Sequence, residues 1–246
     1  MFQLLLAVDT SGKNGSLALA RAAPGQGESE VSVLEVVPLT GGAFSAQLVP
    51  QIAALLEKHG YSKTDLGAFA VASGPGSFTG LRVGLAAIKA LAEALRKPIV
   101  AISLLEAVAC GGAARGRVFA ALDAGRGDVY AGDYELDTDA HSHTRMSVVM
   151  HRERLLSREE FFAEARSAEA DLPESKRKAI ITPDAVLAEI VRAAGIQIEL
   201  IEYPNSGMIA RLAWGHLQRG QTVSPEGLEA NYIRRSDAEI FSKPKA

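Results

Sequence analysis

The feature that most constrains this chain is the stretch Ser73-Gly74-Pro75-Gly76-Ser77-Phe78-Thr79-Gly80-Leu81-Arg82-Val83-Gly84. An apolar run, Gly67 to Ala72, precedes it, and a helical pattern ending near Lys97-Pro98 follows. That order predicts a strand, a tight turn and a helix. Glycine takes backbone angles and close approaches that side chains resist, and Ser77 can cap the first free N–H groups of the helix. A helix start of this kind can receive an anion such as a phosphate. The spacing matches neither the Walker loop nor the dinucleotide fingerprint, so a connection without a ligand stands beside the phosphate reading.

Around this turn the pattern alternates. Phe2 to Val8 is an apolar run ending at Asp9-Thr10-Ser11, and Ser16 to Arg21 returns after a Gly-containing turn, which predicts a hairpin; Val31 to Val37 adds a third strand. Three strands before any helix imply a mixed sheet with an antiparallel edge. Helices are expected over about Ala43–His59 and Phe78–Arg96, then a buried strand at Ile99–Ile102 and a helix from a Ser103 cap to about Cys110. The alternation predicts a layered α/β lobe over residues 1–110.

Gly111 to Gly116 is the expected hinge to a second lobe, residues 111–220, with an extended tail over 221–246. Beyond the hinge, Val118–Asp123 and Asp128–Tyr134 flank Ala124-Gly125-Arg126-Gly127, which repeats the opening strand, acid, turn and returning strand. Asp9 and Asp123 are the corresponding acids of this duplication. Further elements are expected at Arg145–Met150, Ser157–Ala165, Ala179–Thr182, Pro183–Ala194 and Ile198–Ile201. Asn205-Ser206 should cap a last helix through Leu217, and whether that helix packs back on the first lobe stays open. In the tail, Tyr232 and Ile233 are expected to dock and Arg234-Arg235 to be exposed, with Lys243 to Ala246 frayed.

Candidate chemistry is sparse. Asp9, Thr10 and Ser11 could face a metal-bound phosphate, or could form an Asx turn opening the hairpin. The five histidines, His59, His141, His143, His151 and His216, offer no metal-ligand spacing, and no metal is expected. No Gly-x-Ser-x-Gly elbow occurs, Ser77 reads as a cap, and acid pairs such as Asp137/Asp139 and Glu159/Glu160 read as surface charge. A net charge of -3 argues against an unaided grip on nucleic acid. The single cysteine, Cys110, excludes an internal disulfide and reads as a buried thiol in a reducing compartment. Neither a signal peptide nor a membrane-length run is legible, so the cytoplasm is expected. Both helices carry apolar arcs wider than one sheet-facing stripe, at Leu48 and Ile52 and at Leu81, Leu85 and Ile88. The extra width fits mutual packing or a partner surface.

These residues together resemble one family. Leu5–Ser11, the Ser73–Gly84 loop and helix, Asp123–Tyr130, and the tail with Pro225-Glu226 and Tyr232-Ile233-Arg234 are similar to the bacterial TsaB proteins, from residue 3 to about 235. The resemblance implies a two-lobed, actin-like ATPase fold, related to ribonuclease H, with mixed sheets and a hairpin opening each lobe. It implies a role in forming N6-threonylcarbamoyladenosine beside the anticodon of tRNAs that read codons starting with A. In that role the protein is a non-catalytic partner of the catalytic subunit TsaD, joined by the ATPase TsaE, and reaches tRNA through the complex. No tightly bound cofactor is implied, while ATP or ADP with magnesium belongs to the complex. The implied partner face and loop comprise Leu48, Ile52, Leu81, Leu85 and Ile88 with Gly74, Gly76, Ser77, Phe78, Thr79, Gly80 and Arg82. Asp9, Thr10, Ser11 and Asp123 are the nucleotide-facing candidates, and a homodimer through the same helices is compatible with this role. One departure stands out: the family's His-Ser-Glu is Phe44-Ser45-Ala46 here, which implies a more hydrophobic contact. Two rival readings are an autonomous ATPase or kinase, and a metallo-glycoprotease like the family's older grouping.

Overall fold

The computed structural model describes residues 3–23, 31–138, 146–170 and 178–234. His141, His143, Asp139, Arg145, Arg235 and the Lys243–Ala246 end therefore lie outside the described residues. The first sheet is built from β1 (Gln3–Asp9), β2 (Gly15–Ala22), β3 (Val31–Leu39), β4 (Leu66–Gly74) and β5 (Ile99–Ser103), in the order β3-β2-β1-β4-β5. β1, β2 and β3 pair antiparallel, while β4 and β5 add in parallel. β1 is apolar along its length because both of its faces are covered: Leu4, Leu6 and Val8 point to one core, Leu5 and Ala7 to the other.

Helix α1 (Phe44–Lys58) and helix α2 (Phe78–Leu95) cover the first of these faces. Between them, a short 3₁₀ turn at Lys63–Asp65 is held by a Ser62/Asp65 capping box, an element with no apolar period to announce it. α2 starts at its Ser77 cap and ends at Arg96, which takes the left-handed conformation at φ 52°.

The second sheet consists of β6 (Gly116–Gly125), β7 (Asp128–Thr138), β8 (Met146–Ser157), β9 (Ala179–Thr182) and β10 (Glu199–Leu200), in the order β10-β9-β6-β7-β8. Counted outward from the opening hairpin, this is the order of the first sheet again. The matching helices are α4 (Arg158–Ala170) and α5 (Ala185–Ala193). Phe119, Ala121, Val129 and Ala131 meet them with Phe161, Leu187 and Val191.

Two helices cross over between the halves. α3 (Leu104–Gly111) packs Leu105, Val108 and Ala109 on the second sheet against Val118, Ala120 and Leu122. α6 (Ser206–Gln218), capped by Asn205, packs Ile209, Ala210 and Ala213 on the inner face of the first sheet. The layers thus run α1/α2, first sheet, α3 and α6, second sheet, α4/α5. Division by packing accordingly places α3 with the second sheet, although the sequence puts it before the hinge. Residues 221–234 return to the first lobe: Val223 bridges Ile99, Leu228 enters the core, and the Asn231 amide donates to the Ser73 carbonyl. The exposed basic pair expected there is corrected at Arg234, which is partly buried and bonds Asp128 at 2.6 Å. Its hydrogen-bond geometry satisfies a carboxylate that solvent would otherwise have to hydrate.

Ile88 is fully buried beneath α2. Ile88→Ala should cost about 2–4 kcal/mol, the loss of transfer energy plus a cavity. Urea unfolding would measure it, and a loss below about 1 kcal/mol would contradict core placement.

Candidate functional site

The site is assembled where the Asp9-Thr10-Ser11 loop meets the start of α2. The Ser11 amide and hydroxyl both donate to Asp9 Oδ1, at 2.8 and 2.6 Å. Thr10 Oγ1 donates to the Gly80 carbonyl at 2.7 Å, and the Ser77 amide donates to the Ser11 carbonyl at 2.6 Å. Ser77 Oγ in turn accepts from the Gly80 amide at 3.3 Å. A Cβ on Gly76, Gly80 or Gly84 would run into Ser11 O, Thr10 O or Thr10 Oγ1 respectively. The glycines are therefore spaced for helix-to-loop contact, one per helical turn on the side that touches the loop. The hydroxyl donors expected to face a phosphate are held by the chain's own acceptors, and Thr10 and Ser11 are buried. As folded, the Thr10 and Ser11 hydroxyls therefore have no donor left for an ATP or ADP phosphate.

Asp9 is 2% exposed. Burial pushes its carboxyl above the usual range, and the Ser11 hydrogen bonds only partly offset that rise. At the end of the second hairpin, Asp123 is exposed; its amide donates to Asp184 Oδ2 at 2.6 Å and its Oδ1 accepts from the Gly125 amide at 3.0 Å. Burial, then the charge of Asp123, keeps the Asp184 carboxyl high despite that amide. Tyr203 brings its hydroxyl beside Gly12 in the first hairpin turn: partial burial raises its phenol, and the charges of Asp9 and Asp184 raise it further. Tyr203 thus lies within electrostatic reach of both Asp9 and Asp184. Sequence reading missed Asp184 and Tyr203. Asp184 sits at a legible helix N-cap position, whereas nothing local marks Tyr203.

The five large apolar positions expected at a partner surface require correction. Leu48, Ile52, Leu81, Leu85 and Ile88 are all buried in the first-lobe core. The sheet takes the bulky side of each arc, because large side chains fill the space over strands and small ones do not. What α1 and α2 leave exposed is the small side: Ala46, Val49, Pro50 and Ala53, with Ala86, Ala90 and Ala94. Val49 is 60% exposed. Phe44 packs into the core against Gly15, so of the substituted pair only Ala46 reaches the surface. Phe78, Thr79 and Arg82 are exposed at the head of α2. The Arg82 guanidinium stacks 3.7 Å over the Phe78 ring and donates to the Tyr232 hydroxyl at 3.3 Å.

His59, His151 and His216 each face a glutamate, Glu35, Glu135 and Glu106, at 2.9, 3.3 and 2.7 Å. Among the described residues no group of three or more His, Cys, Asp or Glu side chains could hold a metal ion, and no helix is long and apolar enough to cross a membrane. Cys110 is buried in α3, and that burial pushes its thiol up, so it stays protonated.

Because Asp9's folded-state pKa is raised, the native state holds that proton more tightly than the unfolded chain does. Its contribution to stability is complete below the ordinary carboxylate range and is lost as pH rises through the raised value. Asp9→Asn keeps an acceptor for Ser11 and removes the charge. Its Tm should exceed wild type at pH 7 by about 2 °C or more, and the gain should shrink toward pH 4. Scanning calorimetry across that range checks the sign, and a gain independent of pH would contradict it.

A family profile described as "TsaD: tRNA N6-adenosine threonylcarbamoyltransferase" matches residues 36–240. The tRNA threonylcarbamoyladenosine biosynthesis protein TsaB of Bacillus subtilis (strain 168) is 35% identical over 132 residues, 53% of this chain and 55% of that protein. The protein of the same name from Escherichia coli (strain K12) is 32% identical over 142 residues, 56% of this chain and 58% of that protein. The chain spans little more than half the length of these curated relatives. The solved structure "YeaZ from Pseudomonas aeruginosa" superposes with a TM-score of 0.67 at 24% identity, covering 94% of this chain and 99% of that one. That likeness shows the fold: a two-lobed, actin-like α/β arrangement with a mixed sheet in each lobe. The chain belongs to the threonylcarbamoyltransferase family that the matching profile describes.

Proposed function

We propose that this chain is a non-catalytic partner subunit for a TsaD-type transferase. In that assembly it supports threonylcarbamoylation of the adenosine beside the anticodon in tRNAs that read codons starting with A. The observation that carries this reading is the outward face of α1 and α2, where Ala46, Val49, Pro50, Ala53, Ala86 and Ala90 form a surface of small uncharged side chains. Small residues let a second pair of helices approach closely, and apolar area removed from water drives the association. Pro50 also removes the helical donor for the Ala46 carbonyl, leaving an acceptor on that face.

The rest of the chain is consistent with a supporting role. Formal charge is 26 basic against 29 acidic residues, so tRNA is held by the complex, in the cytoplasm. TsaE joins the same complex. When its partner is absent, the chain pairs with itself through the same face.

The test is threonylcarbamoyl transfer by the catalytic relative, with and without this chain. The variant to use is Ala86→Glu/Ala90→Glu, because both side chains are exposed in the free protein, whereas Leu85→Glu would place a charge in the core. The double variant should stay folded, with Tm within about 2 °C of wild type, and should lose complex formation and transfer by at least about tenfold. Transfer that proceeds equally without the chain, or with the double variant, would sink the reading.

A further inference from the structure

The face proposed above does not end at its alanines. Phe78, Arg82, Ala86 and Ala90 follow one another at intervals of four along α2, all exposed, and so form a single ridge of the helix. At the head of that ridge the Arg82 guanidinium stacks 3.7 Å over the Phe78 ring. Tyr232 of the returning tail completes the group, with its ring 5.2 Å from Phe78 and its hydroxyl accepting from Arg82 Nε at 3.3 Å. We infer that Arg82 is the charged anchor of this face and takes a carboxylate side chain of the partner subunit through a pair of hydrogen bonds. The inference rests on the partner reading and deepens it: the tail builds the contact together with α1 and α2, and the partner must present an acid there.

The guanidinium is held ready. An arginine free on a helix surface samples many rotamers, and ordering it on binding costs free energy. Arg82 is already fixed on two sides, by the ring beneath it and by the Tyr232 hydroxyl. Tyr232 is fixed in turn by its neighbours in the tail. Asn231 donates through its amide to the Ser73 carbonyl at 2.7 Å and through Nδ2 to Glu153 at 2.5 Å, while Ile233 packs on the core between α3 and the second sheet. Arg234 bonds Asp128 at 2.6 Å. Glu153 also accepts from Ser103 and from the Tyr134 hydroxyl, so one carboxylate on the second sheet pins the tail and the first lobe together.

What remains open on Arg82 selects the ligand. The stack occupies one face of the guanidinium and Tyr232 takes Nε, which leaves both Nη atoms without an acceptor among the described residues. By contrast, Arg154 and Arg234 each meet a carboxylate, at 2.7 and 2.6 Å. The open edge of a guanidinium presents parallel N–H groups that match the two oxygens of a carboxylate, a charge-assisted pair stronger than neutral hydrogen bonds.

A phosphate of tRNA offers similar oxygens, but the surroundings favour an acid of a protein. Arg82 is the one base among the exposed residues of α2, and Glu93 toward the far end of the face is acidic, whereas a grip on an RNA backbone needs several bases together. Phe78 and Tyr232 are 42% and 43% exposed, so the arginine is flanked by aromatic area open to solvent. Aromatic rings with an arginine among them are the residue types that carry most of the energy at protein interfaces. The alanines thus allow close approach of the partner's helices, and the aromatic head with its guanidinium supplies the anchor.

Calorimetric titration of the full chain against the catalytic relative, at about 0.1 M and about 0.5 M salt, tests the anchor. Arg82→Gln should keep Tm within about 2 °C of wild type, weaken the complex at least about tenfold at the lower salt, and flatten its salt dependence. Tyr232→Phe keeps the ring and removes the acceptor for Nε, so its loss should be smaller, about two- to fivefold. Arg82→Glu should bind more weakly than Arg82→Gln, and one Asp→Arg or Glu→Arg substitution on the partner should restore it, which a merely structural Arg82 would not allow. Wild-type affinity in Arg82→Gln, beside loss in Ala86→Glu/Ala90→Glu, would overturn the inference and leave the partner reading standing; no complex with the wild-type chain would remove both. A loss in Arg82→Gln with undiminished salt dependence, or no restoring substitution on the partner, would overturn it as well. Unchanged subunit affinity with weaker tRNA binding by the assembled complex would assign the guanidinium to phosphate instead.

Discussion

Everything distinctive about this chain depends on how closely α2 approaches the loop that ends β1. Three glycines, at 76, 80 and 84, remove the Cβ atoms that would strike Ser11 and Thr10, and two hydrogen bonds, Thr10 Oγ1 to the Gly80 carbonyl and the Ser77 amide to the Ser11 carbonyl, close the gap they leave. The helix is thereby docked by backbone rather than by side-chain interdigitation. A helix fixed in this way has no freedom to rotate about its axis. Its bulky line, Leu81, Leu85 and Ile88, must point into the sheet, and its alanine line must point out. The same contact uses the polar groups of the 9–11 loop, so what resembles an anion cradle in sequence is a packing joint in the fold.

The duplication acts as an internal control on the meaning of that outward face. Both lobes use one strand order and place two helices on the outer side of the sheet. On the second lobe those helices expose Arg158, Glu159, Glu160, Arg166, Glu189 and Arg192, with Ala163, Ala185, Val186 and Ala193 among them, a mixed surface rich in charge. On the first lobe the corresponding stretch exposes alanines, Val49 and Pro50, with charge confined to Arg82, Glu57, Lys58 and Glu93 toward the ends. Lys89 is half-buried; the Glu226 carboxyl of the returning chain is held low by its own backbone amide first, then by Ser224, with the charge of Lys89 a smaller contribution. Equal topology with unequal surfaces points to a demand on α1 and α2 that folding alone does not impose.

Much of this was legible before the structure. The two hairpins, the strand-turn-helix at Ser73 and the capped helices after Ser103 and Asn205 follow from period, glycine placement and caps, because each is a local property. Which arc of α1 and α2 faces inward was not legible, since both arcs are apolar and only residue size separates them. The packing of α3 on the second sheet was equally hidden, and the return of α6 to the first lobe was open but not decidable: their packing partners are far away in the chain. Asp184 and Tyr203 come near the two hairpin acids through long-range packing, and Glu153 became the junction of the tail and both lobes for the same reason. Asp9 and Asp123, by contrast, were marked by the repeat, because a strand ending in an acid before a turn is visible one residue at a time.

Hydrogen exchange of Gly84→Ala tests the central claim most directly. Its added methyl meets Thr10 Oγ1, the donor to Gly80, on the contact that fixes the helix. The account predicts that amides of the first two turns of α2 and of the 9–12 loop lose protection together, while the second sheet keeps its own. Unchanged protection at α2 and the loop would show that the close approach does not hold the helix, and would contradict the account.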